Sequence, residues 1–140
     1  VPQRKLLLDT SFIVALENRD DPYHAKAWEL ERRNVREGLP YVLHWGILLE
    51  IGDGFARQGR REAGKRLLQT LLTEEGYLIV PLTPSLLEQA IDLYQNRLDK
   101  EWGLTDCISF ALMKQEGIQD ALTADVHFRQ AGFQALLLED

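Results

Sequence analysis

Apolar positions along the chain follow two alternating patterns. Short unbroken runs are separated by longer stretches in which apolar residues recur every three or four positions, the signature of helix. Lys5–Leu8 ends in three consecutive leucines, which predicts a strand covered on both faces; a strand with one wet face would alternate. Residues 12–17 read as helical. Pro22–Glu37 is predicted as a helix with Asp21 as its cap and Pro22 in its first turn. Leu39–Leu43 is a second strand, followed by a helix to about Gln58. Arg60–Glu75 is a further helix, and Tyr77–Val80 a third strand. Pro84–Leu98 has the clearest helical spacing, through Leu87, Ala90, Ile91, Tyr94 and Leu98. Thr105–Glu116 is apolar nearly all round, as expected of a central, buried helix, and Gly117 is a fitting stop. Ala121–Thr123 and Ala135–Leu138 are the last two predicted strands.

Short strands alternating with helices imply an α/β fold, a parallel sheet covered on both faces. Ligands of such sheets sit beyond the carboxyl ends of the strands. With 140 residues and no linker or repeat, the expectation is one domain over residues 1–140. No apolar run is long enough to cross a bilayer, so no membrane is expected. A single cysteine, Cys107, excludes an internal disulfide and a cysteine-based zinc site, and makes a reducing cytoplasm the default location.

Sixteen Lys and Arg stand against twenty-two Asp and Glu, a formal charge of −6. A module that holds nucleic acid by charge alone is usually basic, so this balance argues against one. It leaves room for an enzyme whose acidic cluster is neutralised by metal.

Four acids occupy positions where an apolar residue would be ordinary. Asp9 directly follows Leu6-Leu7-Leu8, and Asp125 follows Ala121-Leu122-Thr123-Ala124, both at carboxyl ends of predicted strands. Asp106 falls in the first turn of the buried helix beside the candidate cap Thr105, where the helix dipole favours an anion. Glu50 interrupts Ile47-Leu48-Leu49-Glu50-Ile51. Singly, each has an ordinary structural use as a cap, a turn residue or a solvated side chain. Together at one end of a sheet they would repel one another, with raised pKa values, unless a divalent cation sat among them. Hard oxygen ligands favour Mg²⁺ or Mn²⁺ over zinc, and such ions activate water and clamp phosphodiesters. These four residues supply four of the six net negative charges.

At these residues the chain resembles the PIN domain family, metal-dependent nucleases that include the VapC toxins of toxin–antitoxin pairs. The matching segments are Leu7-Leu8-Asp9-Thr10-Ser11-Phe12, Leu48-Leu49-Glu50-Ile51, Leu104-Thr105-Asp106-Cys107-Ile108-Ser109-Phe110 and Leu122-Thr123-Ala124-Asp125-Val126-His127-Phe128. They run in order over nearly the whole chain. The resemblance implies a three-layer fold with a four- to five-stranded parallel sheet. It implies Asp9, Glu50, Asp106 and Asp125 as catalytic, Mg²⁺- or Mn²⁺-binding acids. Ser11 would orient Asp9 or a metal-bound water, and Thr105 would support Asp106. It further implies an RNA substrate, a homodimer and a cognate antitoxin. Two departures stand out. Where the family often has a Ser or Thr that caps the helix before the second acid, this chain has His44-Trp45-Gly46. Asp53 stands where Asn is common, one helical turn from Glu50, and could add a fifth carboxylate.

Arg57, Arg60, Arg61, Lys65 and Arg66 form the densest basic stretch. An ordinary solvated face accounts for it, yet Arg57, seven residues after Glu50 on the predicted helix, is a candidate phosphate contact. Arg129, four residues after Asp125, is another. His127 reads as structural or solvated, Cys107 as a small core residue, and Trp28 and Trp45 as buried; Trp102 has a claim to exposure. Gly52 and Gly54 weaken their helix, which a closely packed neighbouring helix or second subunit would make tolerable. Other readings are a housekeeping PIN nuclease, a non-catalytic PIN-like module, and a phosphatase or receiver domain using Asp9. The phosphatase is weakened because Thr10 and Ser11 supply no second Asp, and the receiver domain because it needs an acidic pair before its phospho-acceptor strand and a late Lys, neither of which is found.

Overall fold

The computed structural model describes residues 3–140. Five parallel strands form one sheet in the order β3-β2-β1-β4-β5. They are β1 (Leu6–Leu8), β2 (Tyr41–His44), β3 (Tyr77–Val80), β4 (Asp120–Leu122) and β5 (Gln134–Ala135). The helices are α1 (Thr10–Glu17), α2 (His24–Glu37), α3 (Trp45–Gly54), α4 (Arg61–Thr73), α5 (Pro84–Asn96), α6 (Leu104–Glu116) and α7 (Val126–Gln130).

Both faces of the sheet are covered, which is why β1 carries three leucines in a row, all fully buried. Side chains of a strand alternate between faces. Leu6 and Leu8 pack with Tyr41, Leu43 and Leu122 against α1, α2, α3 and α4. Leu7, Val42 and Ala121 pack the other way, against α5, α6 and α7. As its composition implied, α6 is buried from Cys107 through Met113. It ends at Gly117 in the left-handed conformation (φ +67°), which favours glycine. The strand order reverses direction between β1 and β4, so the crevice beyond their carboxyl ends is where a parallel sheet opens to a ligand.

Several boundaries differ from the sequence reading. The run Ala135–Leu138 is not one strand: β5 is two residues long and Leu136–Leu138 forms a 3₁₀ turn. The Leu137 amide donates to the Thr123 carbonyl at 3.1 Å, which draws the chain across the end of β4 and buries Leu137. The second helix begins at His24, because Asp21 accepts from the Tyr23 amide at 2.8 Å in the preceding turn instead of capping the helix. The third helix stops at Gly54, not near Gln58; the Phe55 amide caps it on Ile51. The close helix–helix approach is at Gly64, where a Cβ would lie 2.8 Å from the Phe55 Cβ, and not at Gly52 or Gly54. Trp102 is buried, its indole N–H bonded to Gln130, whereas Trp28 and Trp45 are exposed.

Candidate metal centre

Asp9 sits at the β1–α1 junction, the first residue past the sheet. It is the N-cap of α1, and its Oδ2 also accepts from two hydroxyls: Ser11 Oγ at 2.9 Å and Thr123 Oγ1 at 2.7 Å. Thr123, fully buried, follows β4 and also accepts from the Asp125 amide at 3.0 Å. Ser11 Oγ accepts from the Ala124 amide at 3.0 Å. This lattice ties the ends of β1 and β4 together and fixes the Asp9 carboxylate. Burial pushes the Asp9 pKa up to about 6, the Thr123 and Ser11 bonds oppose the rise, and Asp106 and Glu50 add to it.

Glu50 projects from α3, with Thr10 Oγ1 donating to its Oε1 at 2.8 Å. The helix is started by His44, whose Nδ1 accepts from the Gly46 amide at 3.0 Å. His44 therefore performs the cap that a Ser or Thr provides elsewhere. Its Nε2 lies 2.9 Å from Ser109 Oγ, and burial holds the ring neutral, with a pKa near 4. The ring needs Gly46 beneath it: a Cβ there would lie 2.7 Å from His44 Cε1.

Asp106 lies in the first turn of α6, accepting weakly from the Gly103 amide at 3.4 Å. The helix starts at Leu104 after Gly103, so Thr105 is inside the first turn and not its cap. Asp125 caps α7 by accepting from the His127 amide at 2.9 Å. The chain thereby turns the His127 ring back over the acids, with Nδ1 3.3 Å from Asp106 Oδ2 and 3.2 Å from Asp125 Oδ1.

The four acids thus come from four separate elements and act on one another electrostatically; Asp106, Asp125 and His127 bring ligand atoms within 4.8 Å of one another, a group that does not take in Asp9 or Glu50. Burial raises the pKa of Glu50 and Asp106 as well, and the mutual repulsion of the acids contributes: Asp106 and Asp125 act on Glu50, and Asp125 acts on Asp106. Among the described residues, no Lys or Arg forms an ion pair with any of them. Crowded hard-oxygen donors whose one basic neighbour among the described residues is the His127 imidazole are a donor set that suits a divalent cation.

Other candidates fall outside this cluster. Asp53 is exposed near the end of α3, and its side chain forms no hydrogen bond among the described residues. Arg57 lies beyond α3, so it does not share a helical face with Glu50. Arg129 is held by the chain end, donating to the Leu138 carbonyl at 2.8 Å and to Glu139. Arg60 stacks on Phe55 and Arg61 donates to the Ala56 carbonyl. Cys107 is buried, and burial pushes its thiol pKa up. Sequence reasoning missed Thr123 and Thr10 and set His127 aside. The one available signal was symmetry: Thr123 stands two residues before Asp125 as Ser11 stands two after Asp9.

A model of the PIN domain matches residues 6–134. The chain belongs to the PIN domain family. The 23S rRNA-specific endonuclease VapC20 of Mycobacterium tuberculosis is 30% identical over 135 residues, spanning 91% of this chain and 95% of that protein. The crystal structure of Mycobacterium tuberculosis VapC20, a Sarcin-Ricin loop cleaving toxin, superposes with a TM-score of 0.79 at 27% identity, over 92% of this PIN domain and 96% of that chain. A toxin-antitoxin complex from Klebsiella pneumoniae shares the fold, with a TM-score of 0.58 at 17% identity over 87% and 88% of the two chains.

Proposed function

We propose that this PIN domain is an endoribonuclease that hydrolyses RNA phosphodiester bonds with Mg²⁺ or Mn²⁺ held by Asp9, Glu50, Asp106 and Asp125. The observation that supports this reading is that four carboxylates from four elements act on one another electrostatically, with no Lys or Arg ion pair to any of them among the described residues. When bound, the ion supplies an activated water and charge stabilisation for in-line displacement. The chain's part is to hold its donors still. Ser11 and Thr123 fix Asp9, Thr10 fixes Glu50, and the first turn of α6 holds Asp106. The products of such hydrolysis carry 5′-phosphate and 3′-hydroxyl ends.

We further propose that the chain is the toxin of a toxin–antitoxin pair, and that it is a homodimer with a cognate antitoxin protein as its partner. The identity with VapC20 over nearly both full lengths supports the toxin role and makes ribosomal RNA the first substrate to test. Leu49 and Leu72 on α3 and α4 are more than half exposed, apolar surface that a second subunit would cover. No helix is long and apolar enough to cross a membrane among the described residues.

The deciding experiment incubates the chain with ribosomal RNA and Mg²⁺ or Mn²⁺, with and without chelator, and maps the ends formed. Binding should also stabilise the fold by mass action, by about 2.7 kcal/mol at a hundred times the dissociation constant. A melting temperature indifferent to both ions, together with cleavage indifferent to chelator, would sink the metal reading. Light scattering at tens of micromolar should give twice 16.1 kDa.

A further inference from the structure

We infer that His127 is itself a metal ligand, so that one half of the site is a two-carboxylate, one-imidazole set that favours Mn²⁺ over Mg²⁺. This rests on the metal-centre reading above and adds a nitrogen donor to it.

Three observations point this way. The first is aim. His127 stands one residue into α7, where the Asp125 cap fixes its backbone, and its ring returns over the crevice. Its Nδ1 touches one oxygen of Asp106 and one of Asp125, which belong to different helical segments. The second is spacing. One ligand atom from each of Asp106, Asp125 and His127 can be chosen so that all three lie within 4.8 Å of one another. Neighbouring donors around an octahedral ion are about 1.4 bond lengths apart, so bonds of about 2.0–2.1 Å to Mg²⁺ would want donors about 2.9 Å apart. The spacings of 3.3 and 3.2 Å from Nδ1 to the two carboxylates are near that separation, so one ion can reach all three donors. The third is contrast with the other histidines. His24 is bonded to the Ala15 carbonyl and His44 is enclosed as the α3 cap, so each has a structural task within the chain. The two partners of His127 Nδ1 are instead the proposed ligands themselves.

The chemistry gives the preference its direction. Mg²⁺ is a hard ion that takes oxygen donors and water, whereas an imidazole suits first-row transition ions. Replacing one oxygen donor by Nδ1 therefore shifts selectivity toward Mn²⁺.

The test is spectroscopic and needs no turnover. The full chain is loaded with Mn²⁺, frozen, and examined by electron spin echo envelope modulation, with natural-abundance and ¹⁵N-histidine protein compared. The expected result is the ¹⁴N coupling of a directly bound imidazole, altered by the ¹⁵N label and absent in His127→Asn, whose amide oxygen can take the Nδ1 position without a ring nitrogen. By calorimetry, the preference for Mn²⁺ over Mg²⁺ should fall at least tenfold in the same variant. Mn²⁺ bound by the parent without directly bound nitrogen would overturn the ligand role and leave the carboxylate site standing, as would an unchanged ion preference in the variant. A parent that binds no Mn²⁺ overturns both the ligand role and the metal centre. Should His127→Asn fail to fold, the labelled parent protein decides alone.

Discussion

Asp9 and Asp106 are near enough to act on each other electrostatically, yet they are held under different conditions. Asp9 is 7% exposed and one of its oxygens receives two hydroxyls at 2.9 and 2.7 Å. The Asp106 side chain is 20% exposed, and its contacts, to the Gly103 amide and to His127, stretch to 3.4 and 3.3 Å. Short bonds to a buried carboxylate rigidify it, because the alternative is an unpaired charge in a low-dielectric interior. Long contacts at a partly exposed carboxylate cost little to exchange. The Asp9 carboxylate is thus fixed by folding, whereas the Asp106 carboxylate is held by longer contacts. A site built this way holds one wall rigid and tunes the other.

The largest expected effect falls on the adjustable side. Asp106→Asn keeps an acceptor for the Gly103 amide and nearly the same volume, yet removes one unit of ligand charge. Cleavage should fall more than a hundredfold, which is several kcal/mol of transition-state stabilisation. Stability of the metal-free protein should hold or improve, since one of the mutually repelling acids becomes neutral. Cys107→Ser, one residue along, should lose some stability and keep metal-dependent cleavage. Equal activity in Asp106→Asn and the parent would show that the two walls do not share a metal.

The rigid side should declare itself in the dependence of stability on pH. The Asp9 pKa rises from 3.8 unfolded to about 6 in the fold. Its protonated form is therefore the one the fold favours. Its contribution is fully present below about pH 4 and is lost as pH rises through about 6. With 1.36 kcal/mol per unit, the loss is on the order of 3 kcal/mol. His44, held neutral by burial with a pKa near 4, gains stability over the same range, so denaturant titrations of the metal-free chain from pH 4 to 7.5 should show the Asp9 decline as a difference, the parent losing ground to Asp9→Asn by that amount as pH rises. Saturating Mn²⁺ should shrink that difference, because the bound cation favours the ionised carboxylate. An Asp9→Asn profile as steep as the parent's would assign the decline to other groups.

The two walls were not equally legible in the sequence. Leu6-Leu7-Leu8 and Ala121-Leu122 announced the central strands, because burial on both faces removes alternation, and with them the places of Asp9 and Asp125. The apolar girth of residues 104–116 announced the buried helix that carries Asp106. The supporting hydroxyls were hidden: Thr123 reaches Asp9 across 114 positions and Thr10 reaches Glu50 across 40, separations that no periodicity encodes. His127 was hidden for a related reason, since its direction is set by the cap of a five-residue helix and not by any pattern. The third helix and the last strand were overextended because apolar residues continue past their ends. Phe55 is buried as a cap residue and Leu137 is buried in a 3₁₀ turn, and both keep the hydrophobic pattern while leaving the element.

Thr123→Val is a sharper probe of the rigid wall than any change to Asp9. Valine has the shape of threonine and fits the buried position, so packing is preserved. The hydroxyl removed serves both Asp9 Oδ2 and the Asp125 amide. Leaving buried polar groups unpaired costs about 1–3 kcal/mol. Urea titration at neutral pH should register that loss, and the Asp9 pKa should climb further, since the Thr123 bond holds it down.

The matching change on the open side, Thr10→Val, should cost far less. Thr10 is half-exposed at the start of α1, and valine keeps its β-branching, so helix propensity barely changes. Its hydroxyl donates to Glu50, which water can serve in its place because that side chain, though partly desolvated, still meets solvent. Stability should stay within about 0.5 kcal/mol of the parent in the same urea titration. The effect belongs instead to the carboxylate: the Thr10 bond lowers the Glu50 pKa, so Thr10→Val should raise it, read by the carboxyl carbon shift of Glu50 during a pH titration. A stability loss in Thr10→Val as large as in Thr123→Val would erase the distinction between the two walls, and would mean that Glu50 is fixed by the fold as firmly as Asp9.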